Sequence, residues 1–207
     1  MNEEAKIRQF AEVAKTIFAP AYPAVARQII NTLGIRQGMA LEVGTGPGLL
    51  AYELVKQSEL RVFALDNKFK ALVLAKEILH EKGADFYRLY LCCGNALNLP
   101  FPNHTFDLVC SRGSFFFWQD KIKGLKEVYR VLRPGGRAMI GGGFGKKEIK
   151  EEIRVKIKTV YPDWEERVAK RRREFSQEKL YQLALKAGIQ NPTIIYDEVN
   201  MWIVFTK

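Results

Sequence analysis

MALEVGTGPGLL, residues Met39 to Leu50, decides the fold. Met39, Ala40, Leu41 and Val43 form a short apolar run, the pattern of a strand covered on both faces. Glycines then fall on alternate positions, Gly44, Gly46 and Gly48, and Leu49 opens a helical pattern. Glycine belongs where a strand turns sharply into a helix while its backbone approaches a ligand. The first amides of that helix point at whatever sits there. The stretch therefore predicts a small-molecule site at the carboxyl end of the first strand, where open α/β sheets bind ligands.

The spacing narrows the ligand. A dinucleotide fingerprint reads Gly-x-Gly-x-x-Gly, whereas here position 49 is Leu and the third glycine falls one residue early. Glu42 also stands inside the strand, where a nicotinamide-binding strand keeps an apolar residue. The next buried strand, Leu60 to Leu65, ends in Asp66, 22 residues past Gly44. An acidic residue at this offset is placed to accept hydrogen bonds from ribose hydroxyls. Asp66 and Asn67 are equally good helix caps for Lys68 onward; both roles are compatible, with Asn67 as the cap.

Around these two strands the chain alternates helix and strand patterns. Two helices precede the first strand, Glu3 to Phe18 and Ala24 to Leu33, separated by Pro20 and Pro23 with Tyr22 in the hinge. They either cap the ligand mouth or pack on the sheet. After Asp66 come a helix closing at Gly83, a strand from Phe86 to Cys92, and a turn Cys93-Gly94-Asn95-Ala96-Leu97-Asn98-Leu99-Pro100-Phe101-Pro102. Strand four, Phe106 to Cys110, runs into Ser111, Arg112, Gly113 and Ser114, then Phe115, Phe116, Phe117 and Trp118. A helix from Lys121 to Leu132, a turn at Arg133-Pro134-Gly135-Gly136 and a strand from Arg137 to Ile140 follow. Gly141, Gly142, Gly143 and Gly145 make a flexible loop, which lacks the Lys-Ser/Thr of a P-loop. One helix over Glu148 to Val160 ends at Pro162; Ser176 caps a last helix that Gly188 stops. Strands Thr193 to Tyr196 and Met201 to Thr206 close the chain, giving seven strands in all.

Composition sets the class. The 207 residues suit a single domain with a sizeable core, and 47% hydrophobic content is that of a globular protein. No apolar run reaches the roughly 18 residues needed to span a bilayer, and the amino terminus lacks the build of a signal peptide. Three cysteines, Cys92, Cys93 and Cys110, are the sparse, odd set of a reducing cytosol, so a cytoplasmic location is expected. Only His80 and His104 are present, which disfavours a histidine-based metal site or triad; no metal is expected. The net charge of +10 suits either RNA or an anionic small substrate. It is spread along helices, with one cluster at Arg171, Arg172 and Arg173, so a solvated basic surface is the favoured reading and that cluster reads as one exposed helix turn.

Taken together, Glu-x-Gly-x-Gly-x-Gly at 42–48, the Gly-Asn-Ala and Leu-Pro-Phe segment at 94–101, and LKEVYRVLRPGGRAMI at 125–140 resemble the class I S-adenosylmethionine-dependent methyltransferases, of the type 11 group. Asn95 departs from the family's usual aspartate. The resemblance implies a doubly wound, Rossmann-like α/β fold: a seven-stranded, mostly parallel sheet with an antiparallel last strand, helices on both faces and extra amino-terminal helices. It divides the chain into an amino-terminal helical cap (1–36), a cofactor-binding core (37–145), a helical insertion (146–175) and a closing helix and strand pair (176–207), all within one domain. By family roles, Glu42 orients the methionine amino end, and Gly44, Thr45, Gly46 and Gly48 approach the methionine moiety and ribose. Asp66 holds the ribose hydroxyls with Asn67 near the adenine, Asn95 and the Ala96 amide read the adenine edge, and the Ser111 backbone faces the ammonium. The cofactor is S-adenosyl-L-methionine and the product S-adenosyl-L-homocysteine.

The acceptor side is less marked. Aromatic faces suit a sulfonium, so Phe115 to Trp118 could wall the methyl group and Tyr22 could close the top; each of these aromatics singly reads better as core. Arg112, always protonated, cannot act as a base but can hold a carboxylate or phosphate in bidentate fashion, or else form a surface ion pair. Arg112, Tyr22 and Trp118 are the candidate catalytic residues. Cys92 and Cys93 raise thiol or metalloid chemistry but read better as small buried hydrophobes, and His104 as a turn residue. The resulting expectation is methyl transfer to a small, anionic molecule by a monomer or homodimer. An RNA methyltransferase and a non-catalytic cofactor-binding protein are the alternatives; a nicotinamide-dependent reductase is disfavoured by the glycine spacing.

Overall fold

The computed structural model describes residues 2–207. Two helices lead. In α1 (Glu3–Thr16) the Asn2 side chain accepts from the Ala5 N–H at 2.9 Å and Glu3 and Glu4 occupy the positive end. The second helix, α2 (Ala21–Leu33), begins before Pro23 rather than after it. Proline is tolerated in a first turn because its missing N–H would have no partner there. Tyr22 thus lies on a helix and not in a hinge. Gly34, left-handed at φ +67°, ends α2.

The sheet comprises β1 (Gln37–Val43), β2 (Glu59–Asp66), β3 (Leu89–Cys93), β4 (Phe106–Arg112), β5 (Leu132–Gly142), β6 (Thr193–Tyr196) and β7 (Met201–Thr206). Its order is β3-β2-β1-β4-β5-β7-β6. All neighbours pair in parallel except β7, which runs against both β5 and β6. The direction of strand order reverses between β1 and β4, and Glu42 pairs with Cys110 there. Strand three starts at Leu89 rather than Phe86, because the Asp85 carboxylate accepts from the Tyr87 N–H (3.0 Å) and binds Arg88 (2.9 Å), which closes a turn. β5 begins at Leu132, paired with Phe106, and the 133–136 turn survives as a register shift inside it.

Helices α3 (Leu49–Lys56) and α4 (Phe69–Glu81) pack with α2 on one face of the sheet. On the other face lie α5 (Lys121–Val131) and α8 (Gln177–Lys186). Alternation along β1 feeds both cores, with Ala40 turned to the first and Leu41 and Val43 to the second. Between α5 and α8 sits the segment 146–175, which carries two helices where the sequence predicts one: α6 (Lys147–Ile157) and α7 (Trp164–Glu174). A third cluster, Val13, Ala21, Ile153, Ile157 and Trp164, joins these to the amino-terminal helices. Among the described residues no helix is long and apolar enough to cross a membrane.

Candidate functional site

Four strand ends meet at the carboxyl edge. At β1, Glu42 is 3% exposed; burial pushes its carboxyl up to about 7, offset in part by the hydrogen bond from Thr45. Thr45 Oγ1 donates to Glu42 Oε2 at 2.6 Å. The Gly44 and Thr45 amides both donate to the Leu65 carbonyl, at 2.7 and 2.9 Å, so the bend is pinned to β2. Gly44 has φ +77°, and a Cβ there would stand 2.2 Å from Ser114 Oγ. Gly46 has φ +54°, and its nearest neighbour across the loop is the Phe10 ring.

At β2, the Asp66 side chain reaches straight into the bend: Oδ2 accepts from the Gly46 N–H at 2.8 Å. Its other oxygen accepts from the Lys68 N–H at 3.0 Å. No side chain caps α4, whose cap position is Lys68, so the expected Asn67 cap does not form; Asn67 is exposed beside Asp66. Two bonds leave a carboxylate with spare lone pairs for hydroxyl donors. At β3, Asn95 Oδ1 accepts from the Leu97 N–H at 2.8 Å, an Asx turn, and Ala96 is half-buried behind it. Cys93 is exposed there and Cys92 half-buried, its thiol pushed up by burial.

At β4, Ser114 Oγ donates to the Val43 carbonyl at 2.7 Å. That commits its only proton, so Ser111 Oγ (2.7 Å) and Trp118 Nε1 (3.3 Å) must both donate to Ser114 Oγ. Ser111 is fully buried. Trp118 is buried too, 5.3 Å from the Phe115 ring and packed on Gly124, which places its indole in the core. Gly124 has no Cβ to obstruct that packing, and the indole N–H is already bonded, so Trp118 presents no free polar atom.

Arg112 has a different environment. Its guanidinium carbon lies 5.1 Å from the Tyr22 ring, 5.6 Å from Phe144 and 5.8 Å from Phe18, and Nε donates to the Gly143 carbonyl at 3.0 Å. No carboxylate lies within ion-pair distance of it among the described residues, so the surface ion pair, one of its two expected roles, does not form. Burial pushes the Tyr22 phenol up, countered partly by Arg112 and reinforced by Glu42. Sequence reasoning missed four residues here. Phe18 and Phe144 complete the ring cage. Arg171, expected in an exposed turn, stacks over Phe116 at 4.9 Å and Phe117 at 5.3 Å, and desolvation lowers its pKa. Arg172 lies 4.5 Å over Tyr196 and donates to the Asp197 carbonyl at 2.7 Å. Three consecutive arginines on a helix beside an aromatic run were the only signal, and pairing the two required the tertiary fold.

A doubly wound sheet with an antiparallel β7, a three-glycine bend and an acidic β2 end bonded to that bend defines a class I methyltransferase. A family model described as "Methyltransferase domain" matches residues 41–140, and this chain belongs to that family. YdaC of Bacillus subtilis, an uncharacterized methyltransferase, is 33% identical over 130 residues, which cover 62% of this chain and 69% of that protein. A crystal structure from Methanococcus maripaludis, assigned to the S-adenosyl-L-methionine-dependent methyltransferases, aligns over all of this chain and 97% of its own with TM-score 0.92 and 34% identity. A demethylmenaquinone methyltransferase of Lactiplantibacillus plantarum is 39% identical over 95 residues, 45% of this chain but only 39% of that protein. The chain is an S-adenosyl-L-methionine-dependent methyltransferase, and S-adenosyl-L-methionine is its cofactor. The bend fits such a group: backbone with φ +54° at Gly46 lies beside a carboxylate at 2.8 Å.

Proposed function

We propose that this chain methylates a small molecule bearing an acidic group, held at the ends of β4 and β5 by Arg112. The observation that carries this reading is the Arg112 guanidinium, stacked among three rings with no carboxylate of its own. Arg112 is half-buried, and a cation withdrawn that far from water is ordinarily paired, whereas this one keeps charge and donors in reserve where an acceptor would dock. Arg171, stacked on Phe116 and Phe117 just past the end of β4, supplies a second cation. Rings on both sides favour an acceptor with a flat or apolar body. The relative that acts on demethylmenaquinone fits that body, though the match covers a minority of its length.

In this reading Asp66 takes the ribose hydroxyls, Gly44, Thr45 and Gly46 line the methionine and ribose, and Gly48 lets α3 begin close behind. Glu42 orients the amino end with Ser111 facing it from β4, while Asn95, Ala96 and Asn67 border the adenine. Bound S-adenosylmethionine supplies an activated methyl group on sulfur. The chain's own task is then to align the acceptor and exclude water, and good alignment can lower a barrier by roughly 7–11 kcal/mol. No proton acceptor is required of Arg112, which stays charged. Tyr22, its phenol held protonated by burial, serves as a wall.

Turnover of labelled S-adenosylmethionine against pooled metabolite extract and total RNA tests the reading. Label is expected in a small-molecule fraction retained on anion exchange, and at limiting acceptor Arg112→Met should lower it roughly 10-fold. Label in RNA, or in a neutral fraction indifferent to Arg112, would overturn it.

A further inference from the structure

The amino-terminal half of α1 has no core to belong to. Buried residues of this helix begin at Ala11, and none occurs from Glu3 to Phe10, although Ile7 and Phe10 carry its apolar stripe. Phe10 is 44% exposed. Its ring edge nonetheless sits 3.3 Å from where a Cβ on Gly46 would stand, and Gly46 is the residue whose N–H is bonded to Asp66. Two ion pairs bring the same half-helix alongside the residues just after Asp66: Glu3 with Lys68 at 2.9 Å and Glu4 with Lys70 at 2.8 Å. Both pairs are well exposed, so they contribute little and weaken with salt. What results is a half-helix suspended over the glycine bend by surface charges, offering the bend an unburied phenyl ring. A half-exposed aromatic at a ligand mouth finds its missing burial in the ligand.

We propose that Phe10 is a cofactor-contact residue, and that residues 3–10 form a hatch that opens to admit S-adenosylmethionine and closes with the Phe10 ring on its adenosyl portion. The proposal rests on the glycine bend being the cofactor site. The occupant follows from continuity: the ring lies next to the loop glycine whose N–H is bonded to Asp66, the residue assigned above to the ribose. Cofactor binding would exchange solvent on Phe10 for contact, so the helix should be more ordered when loaded. Opening should be the step that salt accelerates, because the ion pairs that hold the half-helix down are solvent-exposed.

Calorimetric and stopped-flow titration with S-adenosylhomocysteine tests this, with hydrogen exchange of residues 3–10 in the intact chain. Phe10→Ala should weaken affinity about 10-fold, mostly through faster dissociation, and Phe10→Tyr should restore it. Glu3→Gln with Glu4→Gln, or 0.5 M salt on the unaltered protein, should speed dissociation several-fold. The ligand should slow exchange across residues 3–10. If the unaltered protein does not bind S-adenosylhomocysteine, the cofactor-site reading itself fails. If it binds, yet exchange in residues 3–10 is unmoved and Phe10→Ala binds as tightly, the hatch is overturned while the site stands. The exchange measurement needs no variant, so a misfolded Phe10→Ala would not shield the proposal.

Discussion

The ends of β1 and β2 and the ends of β4 and β5 are built in opposite ways. On the first side nearly every contact is made by backbone: Gly44 and Thr45 amides to the Leu65 carbonyl, the Gly46 amide to Asp66, the Lys68 amide to the same carboxylate. These residues fall within two short stretches of chain. On the second side the work is done by side chains gathered from far apart: Phe18 from the turn after α1, Tyr22 from α2, Arg112 from β4, Phe144 from the loop after β5, Arg171 from α7. Backbone geometry is fixed by where glycine stands, and tolerates few substitutes. A cage of side chains can be rebuilt by exchanging any wall. In the function proposed above, a shared cofactor sits against the first kind of surface and a variable acceptor against the second.

Breaking the backbone side should have the largest effect. Gly44→Val forces a branched side chain into φ +77° against Ser114; left-handed strain of roughly 1–2 kcal/mol adds to overpacking of about 1–3 kcal/mol. Thermal denaturation should fall by about 5–15 °C, with loss of S-adenosylhomocysteine binding by calorimetry. Asp66→Ala leaves the Gly46 and Lys68 amides without their acceptor as well as any bound ribose. Affinity for S-adenosylhomocysteine should drop about 100-fold, which corresponds to roughly 2.7 kcal/mol.

Glu42 sharpens the same side through pH. Its folded pKa is raised from 4.5 to about 7, so between these values the native state binds more protons than the unfolded chain. Stability must then fall as pH rises through that window, the reverse of a salt-bridged acid. The full shift corresponds to about 3 kcal/mol. Glu42→Gln keeps an acceptor for Thr45 and should flatten the slope: more stable than the parent at pH 8, with the advantage gone near pH 4.5, read by denaturant titration at both. Arg112→Met makes the smallest change and separates the two sides. KM for the acceptor should rise roughly 10-fold, about 1.4 kcal/mol, while the S-adenosylhomocysteine dissociation constant changes less than about 3-fold. A tenfold loss of cofactor affinity instead would merge the two sides into one site.

Much of the architecture was legible because the signals were local. Apolar runs bounded by glycine, polar or turn residues gave β1, β2 and β4, and the last strand pair stood out by its turn at Asp197 to Asn200, where Asp197 indeed accepts from the Val199 and Asn200 amides at 2.7 and 2.8 Å. Boundaries were missed where one side chain overrode propensity, as with Asp85 delaying β3. The start of α2 was missed because proline breaks a helix interior but not its first turn. The second insertion helix escaped because α7 buries little beyond Trp164 and so has almost no apolar stripe to read.

By itself the sequence determined the glycine bend, Asp66 at the end of the following strand and hence a nucleoside-bearing cofactor, because those features are properties of neighbouring residues and of which residues accept a positive φ. Only the tertiary structure decided that Arg112 sits in a ring cage, that Trp118 is committed to the core and that Phe10 overhangs Gly46. Each of those outcomes depends on segments far apart in the chain being brought together by burial of apolar surface, and burial has no direction along the chain.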